Sequence, residues 1–352
     1  LLPVLFAAGA RFRFRWRPAL ESVGVVAAWA LPVGLLAAVC WVCFGSPWKT
    51  GYTYCNESTG FAWKYLSGDM GDAGPLKRGV GIASMLHVGG GAKIYPSDGC
   101  GTMLKIDDFA HVTLITGASE IGQGSETVLS QLVCEELGLP MSAISVVNND
   151  TDITPWDVGV HASRTTFIAG NSAIGAARKA KAKILAAAAA KAGLPADSLS
   201  LRNGFVVKGE SGDKLFDLAK FLRSLHFSDK AELVMTSFYY EPPSKHQDKQ
   251  FKGDVSAAYA WATQVCEIEV DTQTGIVRLL KVTGAHDVGR VLNRLGIEGQ
   301  IEGGIVMGQG YAMTENLLVE NGVVRNPNFR DYKLVTAPEI PQMDVTFIET
   351  MD

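Results

Sequence analysis

The stretch whose reading decides the fold is T-G-A-S-E-I-G-Q-G-S-E-T, Thr116 to Thr127. It follows a strand-like run (Val112, Leu114, Ile115) and precedes a helix-like run (Val128, Leu129, Leu132, Val133), so a glycine-rich turn here opens a helix. Gly122 and Gly124 let the backbone approach a ligand closely, and Ser125 is placed to cap the helix. The unpaired N–H groups of the first turn favour an anion, so a phosphate-bearing cofactor suits this turn. An ordinary capped strand-to-helix connection is the plain alternative. A second stretch of the same design, downstream, tips the balance.

That second stretch follows a strand expected from Ile144 to Asn148 and a polar, aromatic loop that is long for a mere connection. The loop runs through P-W-D-V-G-V-H into A-S-R-T-T-F-I-A-G-N, and an alanine-rich helix is expected from Ile174 to Lys191. Ser163, Thr165 and Thr166 bring hydroxyls, and Arg164 a guanidinium, near a second helix start. Read plainly, Ser163 is a cap and Arg164 a surface charge.

Around these stretches, Gly79–Met85, Ala92–Tyr95, Met103–Ile106 and Val112–Ile115 read as short strands in an antiparallel arrangement. The first helix runs from Ser125 to Leu137 and stops at Gly138-Leu139-Pro140. Leu199 to Val207 and a helix near Leu215 to Leu225 follow, and E-P-P at Glu241 to Pro243 marks a boundary. Tyr259 to Val270 is a strand, turned by D-T-Q-T-G into Ile276 to Thr283. From Glu298, G-Q-I-E-G-G-I-V-M-G-Q-G forms a helix whose apolar side holds Ile301, Ile305, Met307 and Ala312. Its glycines at 303, 304, 308 and 310 would let another element pack closely, and Gln300 could offer an amide to a heterocycle.

A net charge of −4 with no long basic run argues against nucleic acid, Arg11, Arg13, Arg15 and Arg17 being the only local cluster. Six cysteines scattered over 352 residues make no disulfide framework. Cys40 and Cys43 have no second pair or nearby His to suggest a metal. Residues 23–45 form an uncharged apolar run just long enough to span a bilayer. It reads as an anchor, a signal-like segment, or sequence foreign to the mature fold. The last is favoured, because the chain begins with Leu and the remainder has cytoplasmic character.

Taken together, G-A-S-E-I-G-Q-G-S-E-T, P-W-D-V-G-V-H-A-S-R-T-T-F-I-A-G-N and H-D-V-G-R-x-x-N-x-x-x-x-E-G-Q-I-E-G-G resemble the molybdopterin-binding large subunit of the molybdenum hydroxylases, the xanthine dehydrogenase family. The likeness runs from about Lys77 to Asp352, nearest to the branch with 4-hydroxybenzoyl-CoA reductase. It implies an α+β fold of two mixed α/β lobes, of the aldehyde oxidase/xanthine dehydrogenase type. The expected division is an unassigned segment and linker (1–75), a first lobe (76–240) and a second, truncated lobe (241–352). By the same likeness, Gly122, Gln123 and Gly124 contact the pterin. Ala162, Ser163, Arg164, Thr165 and Thr166 bind the pyranopterin and its phosphate or cytosine-dinucleotide tail, and Gln300 bonds the pterin.

In this family the cofactor's own sulfurs hold the molybdenum, so no protein metal ligand is expected. The reaction implied is two-electron hydroxylation, or its reductive counterpart, of an aromatic heterocycle, aldehyde or aryl-CoA thioester. Electrons would leave through a [2Fe-2S] small subunit and an FAD-binding medium subunit, since this chain shows neither motif. The sequence also departs from the family. Two upstream cofactor loops are not found before Lys77, and the general-base glutamate belongs to a downstream G-E segment beyond Asp352, so no catalytic residue is assigned and a fragment is expected. Asn293-Arg294 stands where Asn-Pro is common. Glu120, Glu302 and Glu315 read as solvated or helix-end carboxylates, and His161 and His286 as packing or supporting groups. The rivals are a non-catalytic cofactor-binding or membrane-tethered protein, and a nicotinamide-dependent dehydrogenase. The second is disfavoured because I-G-Q-G-S-E-T lacks the third glycine of its fingerprint.

Overall fold

Alternation of buried Val112, Leu114 and Thr116 with half-buried Thr113 and Ile115 makes β3 (Val112–Thr116) a strand with one face in the core. The computed structural model describes residues 74–91, 96–209, 212–228, 233–250 and 252–349. The arginine cluster, the apolar run 23–45, Cys40, Cys43 and Cys55, and the strand expected at 92–95 lie outside these residues.

β3 is an inner strand of a four-stranded sheet with β4 (Ile144–Val147), β2 (Cys100–Ile106) and β8 (Val234–Tyr240), in the order β4-β3-β2-β8. The β2 strand runs antiparallel to both β3 and β8, but β3 and β4 are parallel, with Val112 opposite Ile144 and Ile115 opposite Val147. The crossover that parallel pairing requires is α1 (Ser125–Leu137). Gly138, at φ 63°, ends that helix.

The long helix α2 (Thr165–Ala192) starts nine residues before its alanine-rich part. Its fully buried Ala173, Ala176, Ala177, Ala180, Ile184 and Ala188 recur at helical spacing. Small side chains let it lie close to the sheet, where Ser172 Oγ donates to the Phe238 carbonyl (3.0 Å) and Thr236 Oγ1 to that of Ala176 (2.8 Å). Leu104, Val112, Leu114, Leu129, Val133 and Ile168 complete this core. A three-stranded antiparallel sheet of β5 (Leu199–Arg202), β6 (Phe205–Lys208) and β7 (Asp213–Asp217) follows, then the short α3 (Leu218–His226).

A second four-stranded sheet takes the order β1-β9-β10-β13, from β1 (Leu76–Val88), β9 (Tyr259–Asp271), β10 (Val277–Asp287) and β13 (Gln342–Phe347). Here the structure corrects the sequence reading: β1 pairs antiparallel with β9, Gly81 opposite Cys266, and not with the strands that follow it in the chain. The parallel pairing of β3 with β4 likewise replaces an all-antiparallel reading. The helix α4 (Arg294–Met313) packs Ile301 and Ile305 against Val282, Met343, Val345 and Phe347 of this sheet. Met307 and Ala312, expected on its apolar side, are exposed. A Cβ added at Gly303, Gly304 or Gly308 would meet nothing within 4 Å, whereas one at Gly310 would run into the Glu315 carboxylate, so among the described residues only Gly310 of the four has a close neighbour.

The structure is of the mixed α+β class, with β11 (Val319–Glu320) and β12 (Val323–Val324) a small further hairpin.

Candidate functional site

Because β3 and β4 are parallel neighbours, the segments that follow them leave the same end of the sheet. These are the turn 117–124 and the loop 148–164, the two stretches of similar design. The carboxyl ends of parallel strands are where sheets of this kind receive ligands. Antiparallel β2 adds residues 96–99 to that end, and β8 adds Glu241. Glu241 accepts from the Asp98 amide (3.0 Å) and from Ser97 Oγ (2.6 Å). The two stretches touch: Asn149 Nδ2 donates to the Glu120 carbonyl (3.2 Å), and Gly117 lies against the Pro155 carbonyl so closely that an added Cβ would collide with it.

In the turn, Gly122 (φ 99°) and Gly124 (φ 81°) adopt the left-handed backbone that glycine tolerates, with open space beyond both α-carbons. Ser125 is the first residue of α1 and not its cap. The cap is Glu120. Its Oε1 accepts from the amides of Gly122 (2.7 Å) and Gly124 (3.0 Å), and its Oε2 from Ser125 Oγ (3.0 Å) and the Glu126 amide (3.1 Å). Burial pushes this carboxyl up, but the bonds from Gly124, Glu126, Ser125 and Gly122 outweigh it and hold it below its ordinary value. The anion expected at this helix start is therefore a side chain of the protein. Gln123 folds back on the turn, Oε1 accepting from the Ile121 amide (2.7 Å) and Nε2 donating to the Ser119 carbonyl (2.9 Å).

Arg164 is no surface charge: it is 1% exposed. Nη1 donates to both carboxylate oxygens of Asp157 (2.9 and 3.0 Å) and to the Gly159 carbonyl (2.9 Å). Nη2 donates to the carbonyls of Asp98 (2.7 Å) and Gly99 (2.9 Å). Nε stands 3.0 Å from Asp98 Oδ1, an ion pair set off the line of a hydrogen bond. This guanidinium ties 98–99 to 157–159. The residues before it, Ala162 (φ 49°) and Ser163 (φ 51°), both take the left-handed backbone and are exposed. No side chain caps α2, so Ser163 is not its cap; Thr165 is half-buried and Thr166 exposed at its start.

Asp98 and Asp157, the partners of Arg164, were not singled out in the sequence. Asp98 sits in a D-G pair that reads as a turn, and it meets Arg164 across 66 positions of chain. Gln300 is exposed on α4, without a hydrogen bond among the described residues. Nearer the start of that helix, Asn293 caps it by accepting from the Gly296 amide (2.9 Å) and donates to Gln131 of α1 (3.3 Å).

Cys100, under the same loop, is a buried thiol pushed up to about 12 by burial, then by the charge of Asp157, and is no nucleophile. Burial pushes half-buried His286 below its ordinary value. His161 packs beside Gly91. Glu302 is exposed, and Glu315 accepts from the Tyr332 hydroxyl (2.5 Å). Among the described residues no group of three or more His, Cys, Asp or Glu is placed to hold a metal ion, and no helix is long and apolar enough to cross a membrane.

Comparison with known proteins gives this geometry a context. Residues 56–341 match the family described as molybdopterin cofactor-binding domain. The putative xanthine dehydrogenase molybdenum-binding subunit XdhA of Escherichia coli is 34% identical over 286 residues, 78% of this chain and 36% of that protein. The carbon monoxide dehydrogenase large chain of Afipia carboxidovorans is 27% identical over 288 residues, 77% of this chain and 33% of that one. Quinoline 2-oxidoreductase from Pseudomonas putida 86 has the same fold, with a TM-score of 0.76 at 21% identity, over 85% of this chain and 38% of that chain. The chain thus spans about a third of the length of the curated relatives it matches.

Proposed function

The chain belongs to the molybdopterin cofactor-binding domain family, and from that premise we propose that it forms the pterin cradle of a molybdenum-dependent oxidoreductase of the hydroxylase or dehydrogenase kind. The observation that carries the reading is the meeting of two helix-opening segments at the carboxyl ends of parallel β3 and β4.

The residues present suit a large, flat, anionic guest. Open space lies beyond Gly122 and Gly124, so a ring can approach the main chain there. The exposed left-handed pair Ala162–Ser163, with the hydroxyls of Thr165 and Thr166, offers donors to a phosphate or cytosine-dinucleotide tail at the start of α2. Arg164 contributes by holding this loop in shape, its donors being turned inward. Gln300 offers an exposed amide on α4, and Gln123, its amide bonded within the turn, meets the pterin through the turn it shapes.

When bound, such a cofactor carries the two-electron chemistry, and the protein positions it and excludes water. The substrate is a small molecule of the heterocycle, aldehyde or aryl-CoA class. Relatives are named for xanthine, carbon monoxide and nicotine, a spread of chemistry that supports the reaction type over any one substrate. The narrower likeness to 4-hydroxybenzoyl-CoA reductase draws on the sequence motifs alone. Relatives named as a large chain or as a subunit of a complex support partner subunits; that these are a [2Fe-2S] and an FAD-binding subunit in the cytoplasm draws on the sequence motifs alone. Replacing Gln123 by Ala in the protein that carries this sequence is expected to lower its molybdopterin and molybdenum content. Unchanged content in correctly folded protein contradicts the assignment of that turn.

A further inference from the structure

Glu120 directs all of its carboxylate bonding into the turn and the first two residues of α1. Its two oxygens accept four bonds, three of them from backbone amides at 122, 124 and 126. Both glycines between Glu120 and α1 are held at positive φ with open space beyond them. Its own carbonyl accepts from Asn149, so the residue also joins the turn to the loop after β4. We propose that Glu120 is a positioning residue, an internal anion that fills the start of α1 and fixes the Gly122–Gly124 main chain in the form that receives the pterin.

Two consequences follow from the bonding. An external phosphate at the start of α1 must displace the carboxylate, since the amides of Gly124 and Glu126 are already engaged by it. Removing the carboxylate frees those amides and the two glycines together, so the turn loses its shape and its anion in one step. Glutamine preserves one accepting oxygen and turns an NH2 group toward donors on the other side, so Glu120→Gln stands between the native residue and Glu120→Ala.

The proposal rests on the cofactor reading above, and its test has one arm independent of it. In the first arm, thermal unfolding is followed with and without inorganic phosphate. Phosphate is expected to raise the midpoint of Glu120→Ala and to leave that of the native protein unchanged; an equal response of the two overturns the internal-anion role. In the second arm, the rate of pterin release is compared among the native protein, Glu120→Gln and Val133→Ala. Val133 is fully buried on the core side of the same helix, away from the turn. Pterin is expected to leave Glu120→Gln on the order of fivefold to tenfold faster, the scale of a lost helix cap, and to leave Val133→Ala at the native rate. If Val133→Ala, matched in stability to Glu120→Gln, releases pterin equally fast, Glu120 is only a cap and the positioning role fails. If the native protein holds no pterin at all, the cofactor reading fails, and the phosphate arm still decides whether Glu120 is the internal anion.

Discussion

The two helix starts that share one end of the sheet are secured by opposite means. The start of α1 is held by a carboxylate whose partners all lie within six residues of it, on a half-exposed turn. The start of α2 is held by a cation 1% exposed, whose partners include a carboxylate and two carbonyls more than sixty residues away. A local cap sets the shape of one turn. A long-range ion network sets where three segments stand relative to one another. Loss of the first is expected to leave the fold intact, whereas loss of the second is expected to cost the fold.

The sharpest way to break this contrast is Arg164→Met, which leaves the carboxylates of Asp98 and Asp157 buried without their cation. A loss of about 3–5 kcal/mol is expected, read by urea unfolding, and a loss below about 1 kcal/mol would mean that the network is not structural. Next in size is Gly117→Ala. Its Cβ would run into the Pro155 carbonyl, at a cost of about 1–3 kcal/mol of strain, read as a lower unfolding midpoint.

Glu120→Gln is expected to remove about 1 kcal/mol at neutral pH, the scale of a helix cap. Because the folded value of Glu120 is lowered, its contribution is full above the ordinary glutamate value, about 4.3, and is lost as pH falls through the folded value. The gap between native and variant stability should therefore close on acidification; a gap that widens would reverse the assignment. The smallest effect is of opposite sign. Gly303→Ala, with nothing within 4 Å of the new Cβ, should stabilise α4 by up to about 1 kcal/mol while reducing pterin retention if that bare helix face meets the cofactor.

The same contrast explains what could be read in the residues. The strand, turn and helix from Val112 to Leu137 were legible because every determinant is close in sequence: alternation, two glycines, helical spacing and a terminating Gly138. Even there the sequence points to the wrong cap, since Ser125 carries the usual capping side chain while Glu120, five positions earlier, accepts from the Gly124 and Glu126 amides. Neither the pairing of β1 with β9 nor the ties of Arg164 to Asp98 leave a local trace, so the sequence groups the first strand with its chain neighbours and allows the arginine to pass for a surface charge. The parallel pairing of β3 with β4, which brings the two candidate stretches together, is legible in the sequence as a helix between two strands.

The most direct test of the account is the pterin content of the purified native protein. It is expressed once in a host that makes molybdopterin and once in one that cannot, and pterin is released by oxidation and read by fluorescence. Stoichiometric pterin from the first host and none from the second is the expected result. A folded protein free of pterin from both would contradict the cradle assigned to the turns at 117–124 and 162–166.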